Sequence, residues 1–586
     1  MCVRSSNASR WSVSIRATTR TGPRIRTIRR ARRLVRVARR RRPRSTRRRP
    51  DRGPAARHGL RRRFSFPRAG IARCRRRRFR GVCSMNHAAI PADPDSAAAH
   101  GGSLYNDDLA PTTPAQRTWK WYHFAALWVG MVMNIASYML AAGLIQEGMS
   151  PWQAVMTVLL GNLIVLVPML LIGHAGAKHG IPYAVLVRAS FGTQGAKLPA
   201  LLRAIVACGW YGIQTWLGGS AIYTLLNILT GNALHGVALP VVGISFGQLA
   251  CFLVFWALQL YFIWHGTDSI RWLESWSAPI KVVMCVALVW WATSQAGGVG
   301  SMLSAPSQFA AGGKKAGLFW ATFWPGLTAM VGFWATLALN IPDFTRFAHS
   351  QRDQMIGQSI GLPLPMALLS VVSVVVTSAT VVIYGNAIWD PIDLTSRMTG
   401  IGVGIALVIL TLDTMCCNLA ANLVGPAYDF SSLWPKAISY RTGGMITATI
   451  AIVMMPWKIL ATTDGYIFTW LVGYSALLGP VAGILMVDYF LIRGTQLDTR
   501  ALFDERGDFS YARGWNPAAL AALAVGVLPN LPGFLHTAFP VSFPNVPAFF
   551  NTLYTYAWFV GLVLASGVYG TWMKWRAGQR AQIASA

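Results

Sequence analysis

The sequence predicts an all-α integral membrane protein of twelve transmembrane helices. Apolar runs of about 20 residues, long enough to cross a hydrocarbon core of about 30 Å, recur along the chain. Hydrophobic residues make up 53% of the 586 positions and charged residues 13%, too apolar a balance for a soluble chain of this length. The Lys and Arg residues between the runs fall mainly on one side, as the positive-inside rule requires of inner loops.

The net charge of +34 does not belong to the membrane part. Residues 1–84 hold 31 Arg, no Lys and one acid, Asp51, whereas Met85 onward carries 23 basic and 19 acidic residues. An Arg-rich segment with few apolar residues repels itself and cannot offset its ordering entropy, so residues 1–84 are expected to be disordered. Three roles suit it: a tail for nucleic acid or anionic lipid, a transit peptide, or sequence upstream of a true start at Met85. The start at Met85 is the preferred expectation, with residues 85–122 as a cytoplasmic tail.

Spans 1–5 are expected at 123–145, 152–173, 200–228, 239–263 and 275–297, forming a first repeat over residues 123–297. Spans 6–10 follow at 318–341, 359–385, 401–424, 443–460 and 465–492, a second repeat over 318–492. Spans 11 and 12, at 516–536 and 546–572, precede a tail at 573–586. An even number of spans puts both termini on one side. With that side inside, the inner loops and short tails hold 17 Lys and Arg against 4 outside, so the termini are expected in the cytoplasm of a cell-membrane protein.

Two spans are interrupted in matching ways. Span 1 contains GMVMNIASYMLAAG, with Asn134 and Ser137 at its centre, and span 6 contains GLTAMVGFW. Unwound backbone at membrane depth is tolerated only where it is buried or lines a cavity. Paired breaks five spans apart therefore point to a transporter of two inverted repeats with a midplane binding site. After the second break, Pro342 is expected to stop the helix, leaving Asp343, Arg346, Arg352 and Asp353 as loop charges that pair at an inner gate. A static surface network is the alternative for these four.

Polar amides are few inside the spans, and Asn134, Gln214 and Asn422 stand out. Trp210 and Gln214 are four apart, hence on one helical face. An indole beside a primary amide suits a flat heterocycle, the ring for stacking and the amide for its C=O and N–H edge. Trp334 offers a second wall. Such a pocket has no fixed charge, which points to a neutral ligand. The competing reading is that the amides tie helices together and the indoles only pack.

NDDLAP, GNLIVLVPMLLIGHAG, RASFG, GWYGIQTWLGG, LNIPDFTRFAHSQRDQ, NLAANLVGPAYDF and LLGPVAGILMVDYF, in this order from Asn106 to about Asn516, resemble the nucleobase:cation symporter-1 family. The resemblance implies a LeuT-type fold of two five-helix inverted repeats with helices 1 and 6 broken. It implies import of uracil, cytosine, allantoin or hydantoins driven by Na⁺ or H⁺, with no further cofactor. Trp210 and Trp334 would sandwich the ring, Gln214, Asn422 and Asn134 would bond its edge, and Phe333 would add backbone contacts. In sodium-coupled members, span 1 carbonyls and two span 8 hydroxyls hold the ion. Here those positions are Gly130 and Met133, and Cys416 and Cys417. Thiols are poor ligands for a hard cation.

Asp413 lies on the same helical face as the two cysteines, and an intramembrane carboxylate is a functional candidate by default. Proton coupling through Asp413 is the preferred expectation, with Na⁺ held by Asp413, or a structural role, as alternatives.

No metalloprotease motif, nucleophile elbow or phosphate-binding loop is present, so an enzyme is not expected. The eight cysteines show neither zinc-ligand spacing nor a secreted framework, so neither metal nor disulfide is expected. The partners expected are a small nucleobase or ureide and the bilayer, without nucleic acid, for a monomer. The rival functions are an uncoupled facilitator or sensor on this scaffold, and a membrane-tethered nucleic-acid binder acting through residues 1–84.

Overall fold

The computed structural model describes residues 102–585 except 266, 299, 305 and 399, so the expectations for residues 1–84 and for 85–101 of the tail lie outside the described residues. The described chain is a bundle of α-helices with only isolated β-bridges. Among the described residues seven helices are long and apolar enough to cross a membrane, and two strongly bent pairs bring the number to nine. The expected spans at 200–228, 275–297 and 443–460 are helical as Lys197–Leu229, Thr267–Gln295 and Tyr440–Val453, but fall outside those limits of length and composition. A multi-pass, all-helical membrane protein results.

Local chemistry sets many of the helix ends. Ser150 caps Pro151–His179 by accepting from the Gln153 N–H, and Gly180 ends that helix in the left-handed region, at φ 72°. The same helix packs very closely on Phe319–Phe333: a Cβ on Gly161 would lie 2.4 Å from the Met330 Cβ. Only a hydrogen fits there, and backbones in membrane bundles approach at such small residues.

Two expectations about the second interruption need correction. Pro342 does not end the helical path, because Ile341 keeps right-handed dihedrals (φ −53°, ψ −28°) and Pro342 takes the first position of a short helix, Pro342–Thr345. At that position the missing N–H forfeits no intrahelical bond. Nor are Arg352 and Asp353 loop residues. They lie in the first turn of Gln351–Gly361, whose N-cap Ser350 accepts from the Asp353 N–H.

One stretch before the first span crosses one end of the bundle as a strap. The Asn106 Nδ2 donates to the Pro435 carbonyl at 2.8 Å, and the Asp108 Oδ2 accepts from the Tyr440 N–H at 2.9 Å. The Thr112 hydroxyl donates to the Arg346 carbonyl at 2.6 Å. Trp119 closes the strap with a parallel bridge, its N–H to the Phe347 carbonyl at 2.9 Å and its carbonyl from the His349 N–H at 2.8 Å.

Candidate functional site

The first helix interruption is held open by one side chain. Trp121–Val132 stops, Ile135–Gln146 begins, and their axes differ by 59°. Between them Asn134 is extended (φ −147°, ψ 165°) and caps the second piece, its Oδ1 accepting from the Ser137 N–H at 3.1 Å. Its Nδ2 donates back to the Met131 carbonyl at 2.6 Å. One freed backbone group on each side is thereby satisfied.

The expected second interruption is slight by comparison: Trp334 alone (φ −99°, ψ 4°) separates Phe319–Phe333 from Ala335–Asn340, and the two pieces together form one apolar span, Phe319–Asn340. The Tyr474 hydroxyl donates to the Gly332 carbonyl at 2.8 Å and accepts from the Trp210 indole N–H at 3.3 Å. One phenol thus ties the interruption to the indole.

The two breaks adjoin a small cavity of about 20 Å³ lined by Asn134, Trp210, Gln214, Phe333, Trp334 and Asn422, with Cys417 on its wall. All six expected ligand-contacting residues therefore face one space. Phe333 contributes its ring, where only backbone contacts were expected: it lies edge-on to Trp210 (centroids 5.0 Å apart, 84°) and to Trp334 (4.8 Å, 89°). Gln214 donates from Nε2 to the Asn134 Oδ1 at 3.1 Å, while its Oε1 and the Trp334 indole N–H are buried without a partner. Asn422 sits in a π-helical turn, Leu419–Leu423, between Ile401–Asn418 and Val424–Leu433. Such turns displace a side chain from helical register and recur at functional sites. No Asp, Glu, Lys, Arg or His lines the cavity.

The other face of the first interruption is charged. Lys281, in Thr267–Gln295, places its Nζ 2.5 Å from the Asp413 Oδ1 and donates to the Gly130 carbonyl at 2.9 Å. Both side chains are buried (1% and 2% exposed). The Gly130 oxygen, expected to face a free cation, is thus occupied by an ammonium. Met133 lines a second cavity, about 50 Å³, beside Lys281 and Asp413. The Cys417 thiol donates to the Met131 carbonyl at 3.3 Å, and Cys416 is buried next to it.

The four expected gate charges do not pair with one another in this structure. Asp343 is buried, its Oδ1 accepting from the Tyr183 N–H at 2.8 Å and its Oδ2 from the Asn340 amide at 3.1 Å. Arg346 donates to the Tyr428 hydroxyl at 3.0 Å and lies over that ring. Asp353 accepts from the Trp121 N–H at 3.1 Å, and exposed Arg352 has no ion pair among the described residues. A fully buried ion pair among the described residues is Arg203–Asp429, at 3.3 Å.

Sequence reasoning overlooked Lys281, Tyr474 and the Arg203–Asp429 pair. A lone Lys in an apolar span was the available signal for Lys281, by the same rule that singled out Asp413.

A sequence model of the family described as "Permease for cytosine/purines, uracil, thiamine, allantoin" matches residues 111–561. The purine-uracil permease of Arabidopsis thaliana is 44% identical over 470 residues, 80% of this chain and 77% of that protein. The allantoin permease of Bacillus subtilis is 41% identical over 468 residues, 79% of this chain and 91% of that protein. Among solved structures, the inward-facing conformation of Mhp1 matches with a TM-score of 0.65 and 26% identity, covering 81% of this chain and 95% of that one. Mhp1 in a closed conformation with bromovinylhydantoin bound gives the same TM-score, 0.65, at 25% identity, covering 81% and 97%.

Proposed function

We infer, from the premise that this chain belongs to the family of permeases for cytosine/purines, uracil, thiamine and allantoin, that it imports a neutral planar nucleobase or ureide by proton symport. The family is one of transporters, not enzymes. The observation that carries the reading is the uncharged cavity of indoles and amides where the two helix interruptions meet. A flat ring lies against Trp210 and Trp334, and Gln214, Asn134 and Asn422 meet its polar edge. Twelve spans in a LeuT-type arrangement of two inverted five-helix repeats, broken in helices 1 and 6, place this cavity at the membrane midplane. The termini face the cytoplasm, the protein works as a monomer in the cell membrane, and the strap with Asp343, Arg346, Arg352 and Asp353 lies at the inner gate.

Proton rather than sodium coupling is supported by the ammonium on the Gly130 carbonyl. A fixed positive charge already occupies that place, and Cys416 and Cys417 offer no hard oxygen. A proton arriving at Asp413 turns the carboxylate into a neutral acid and leaves Lys281 held by the Gly130 oxygen alone. That carbonyl stands near the end of Trp121–Val132, so the protonation state of Asp413 bears directly on the first interruption. The order of events is alternating access: ligand and proton enter together, the repeats rearrange, and both leave inside.

Uptake of radiolabelled uracil, cytosine, allantoin and hydantoin into proteoliposomes tests this, at two pH values with and without Na⁺. At least one is accumulated under an inward proton gradient, without a sodium requirement, and Asp413→Asn loses the accumulation. Equilibration that ignores both gradients identifies an uncoupled facilitator. Unchanged pH-driven uptake by Asp413→Asn removes the proton role.

A further inference from the structure

Behind Asn422 lie three polar side chains that line neither cavity: Asn418, Gln259 and Thr215, each fully buried. Their hydrogen bonds form a directed relay. The Thr215 hydroxyl donates to the Tyr211 carbonyl at 2.6 Å, so towards its other neighbours it acts as an acceptor. Gln259 must therefore turn its NH₂ to Thr215 (3.0 Å), which leaves its Oε1 for the Asn418 NH₂ (2.6 Å). Asn418 is held the same way round by a second anchor, donating to the Tyr211 carbonyl at 3.0 Å. Its Oδ1 then accepts from the Asn422 Nδ2 at 2.9 Å. A primary amide presents donors on one side and an acceptor on the other, so with Nδ2 engaged Asn422 turns its Oδ1 to the cavity.

Gln214 is fixed by the same logic from the first interruption. The backbone orients Asn134, whose Oδ1 faces the Ser137 N–H and whose Nδ2 faces the Met131 carbonyl. Gln214 meets that Oδ1 with its Nε2, and its own Oε1 is the buried atom without a partner. Two amides on the cavity thus both offer oxygen.

We propose that Thr215, Gln259 and Asn418 are positioning residues that lock the Asn422 amide with its oxygen inward, so that the site selects ligands presenting N–H groups, the –NH–C(=O)–NH– class of ureides and imides, over rings presenting a lone pair there. The proposal rests on the transport reading above. An amide free to rotate would accept either edge, whereas a locked one leaves an unpaired acceptor facing a lone pair. That mismatch amounts to about tenfold or more in affinity.

Uracil and cytosine separate these cases, because uracil has an N3–H where cytosine of nearly equal shape has a lone pair. Competition binding of uracil, allantoin and cytosine to the purified full chain is measured for wild type, Asn418→Leu and Asn418→Ala, because the Tyr211 carbonyl still orients Asn418 after a change at Gln259 or Thr215 alone. The wild type binds the better of uracil and allantoin at least about tenfold more tightly than cytosine. Either substitution removes the Oδ1 that holds the Asn422 Nδ2, and the ratio falls to about threefold or less as Asn422 becomes free to turn. A purely structural role would weaken every ligand by the same factor and leave the ratio unmoved. An unchanged ratio in both variants that fold, or equal wild-type affinities, overturns the lock while leaving the transport reading intact. Failure of the wild type to bind any of these ligands overturns both.

Discussion

The two sides of the first helix interruption solve opposite problems within a few residues of each other. On one side Asn134 faces a cavity of amides and aromatic rings with no formal charge, and on the other Gly130 faces the Lys281–Asp413 pair. Buried amides are inexpensive once each donor and acceptor is assigned, and unassigned atoms remain available to a ligand. A buried ion pair instead depends on both members, since either alone is an uncompensated charge. On the proposed reading, the first compartment exchanges neutral molecules and the second changes its charge.

The sharpest way to break that contrast is Lys281→Met, which strands the Asp413 carboxylate and should destabilise the protein by about 3–5 kcal/mol. Thermal unfolding in detergent reads this, and adding Asp413→Leu to Lys281→Met should restore most of the loss. Survival of Lys281→Met unharmed would mean that the two compartments are not electrostatically distinct. On the neutral side, Trp210→Ala should weaken ligand binding by about 1–3 kcal/mol, the usual worth of a base stacked on an aromatic ring, with a smaller effect on unfolding. Gln214→Leu should weaken binding by about 1–1.5 kcal/mol, the contribution of one lost hydrogen bond, and should not alter the pH dependence of uptake. A shift in that pH dependence would join the compartments that the comparison separates.

The smallest effect concerns the rim of the charged side, where Asp390 caps Pro391–Ser396 and Pro391 and Thr395 line the cavity beside Lys281. Burial pushes the Asp390 carboxyl up to about 6, above an unfolded value of about 4. Folding then takes up a proton between those values, so stability is greatest below about pH 4 and declines as pH rises through about 6. Asp390→Asn keeps the cap and should flatten that decline. The flattening is read as a melting-temperature series from pH 4 to 8.

How much of this was legible in the sequence depended on the range of the interaction. Asn134 was legible because its bonds to Met131 and Ser137 are local, three residues either way. Trp210 and Gln214 were legible because helical spacing alone puts them on one face. The aromatic interruption at Phe333 and Trp334 stood out, but Ile341 was misread: proline's bias against a preceding helical residue yielded to tertiary packing there. Lys281 went unread because its partners lie 151 residues back at Gly130 and far ahead at Asp413. The inner charges misled for a related reason. Neighbours in sequence suggested pairs, whereas Asp343 finds the Tyr183 backbone and Arg346 finds Tyr428. Asn422 was marked as polar, but a helical wheel cannot foresee a π-turn.

The strap across one end of the bundle has a consequence for biosynthesis. Trp119 is made before any of the spans, yet its bridge partners Phe347 and His349 leave the ribosome about 230 residues later. Until then only earlier partners such as the Gly180 carbonyl, which accepts from the Thr112 N–H, are available to the ribbon, and its Trp119 end stays open. Its fastening is a late checkpoint in manufacture, and a nascent chain stalled before residue 349 is one that never locks.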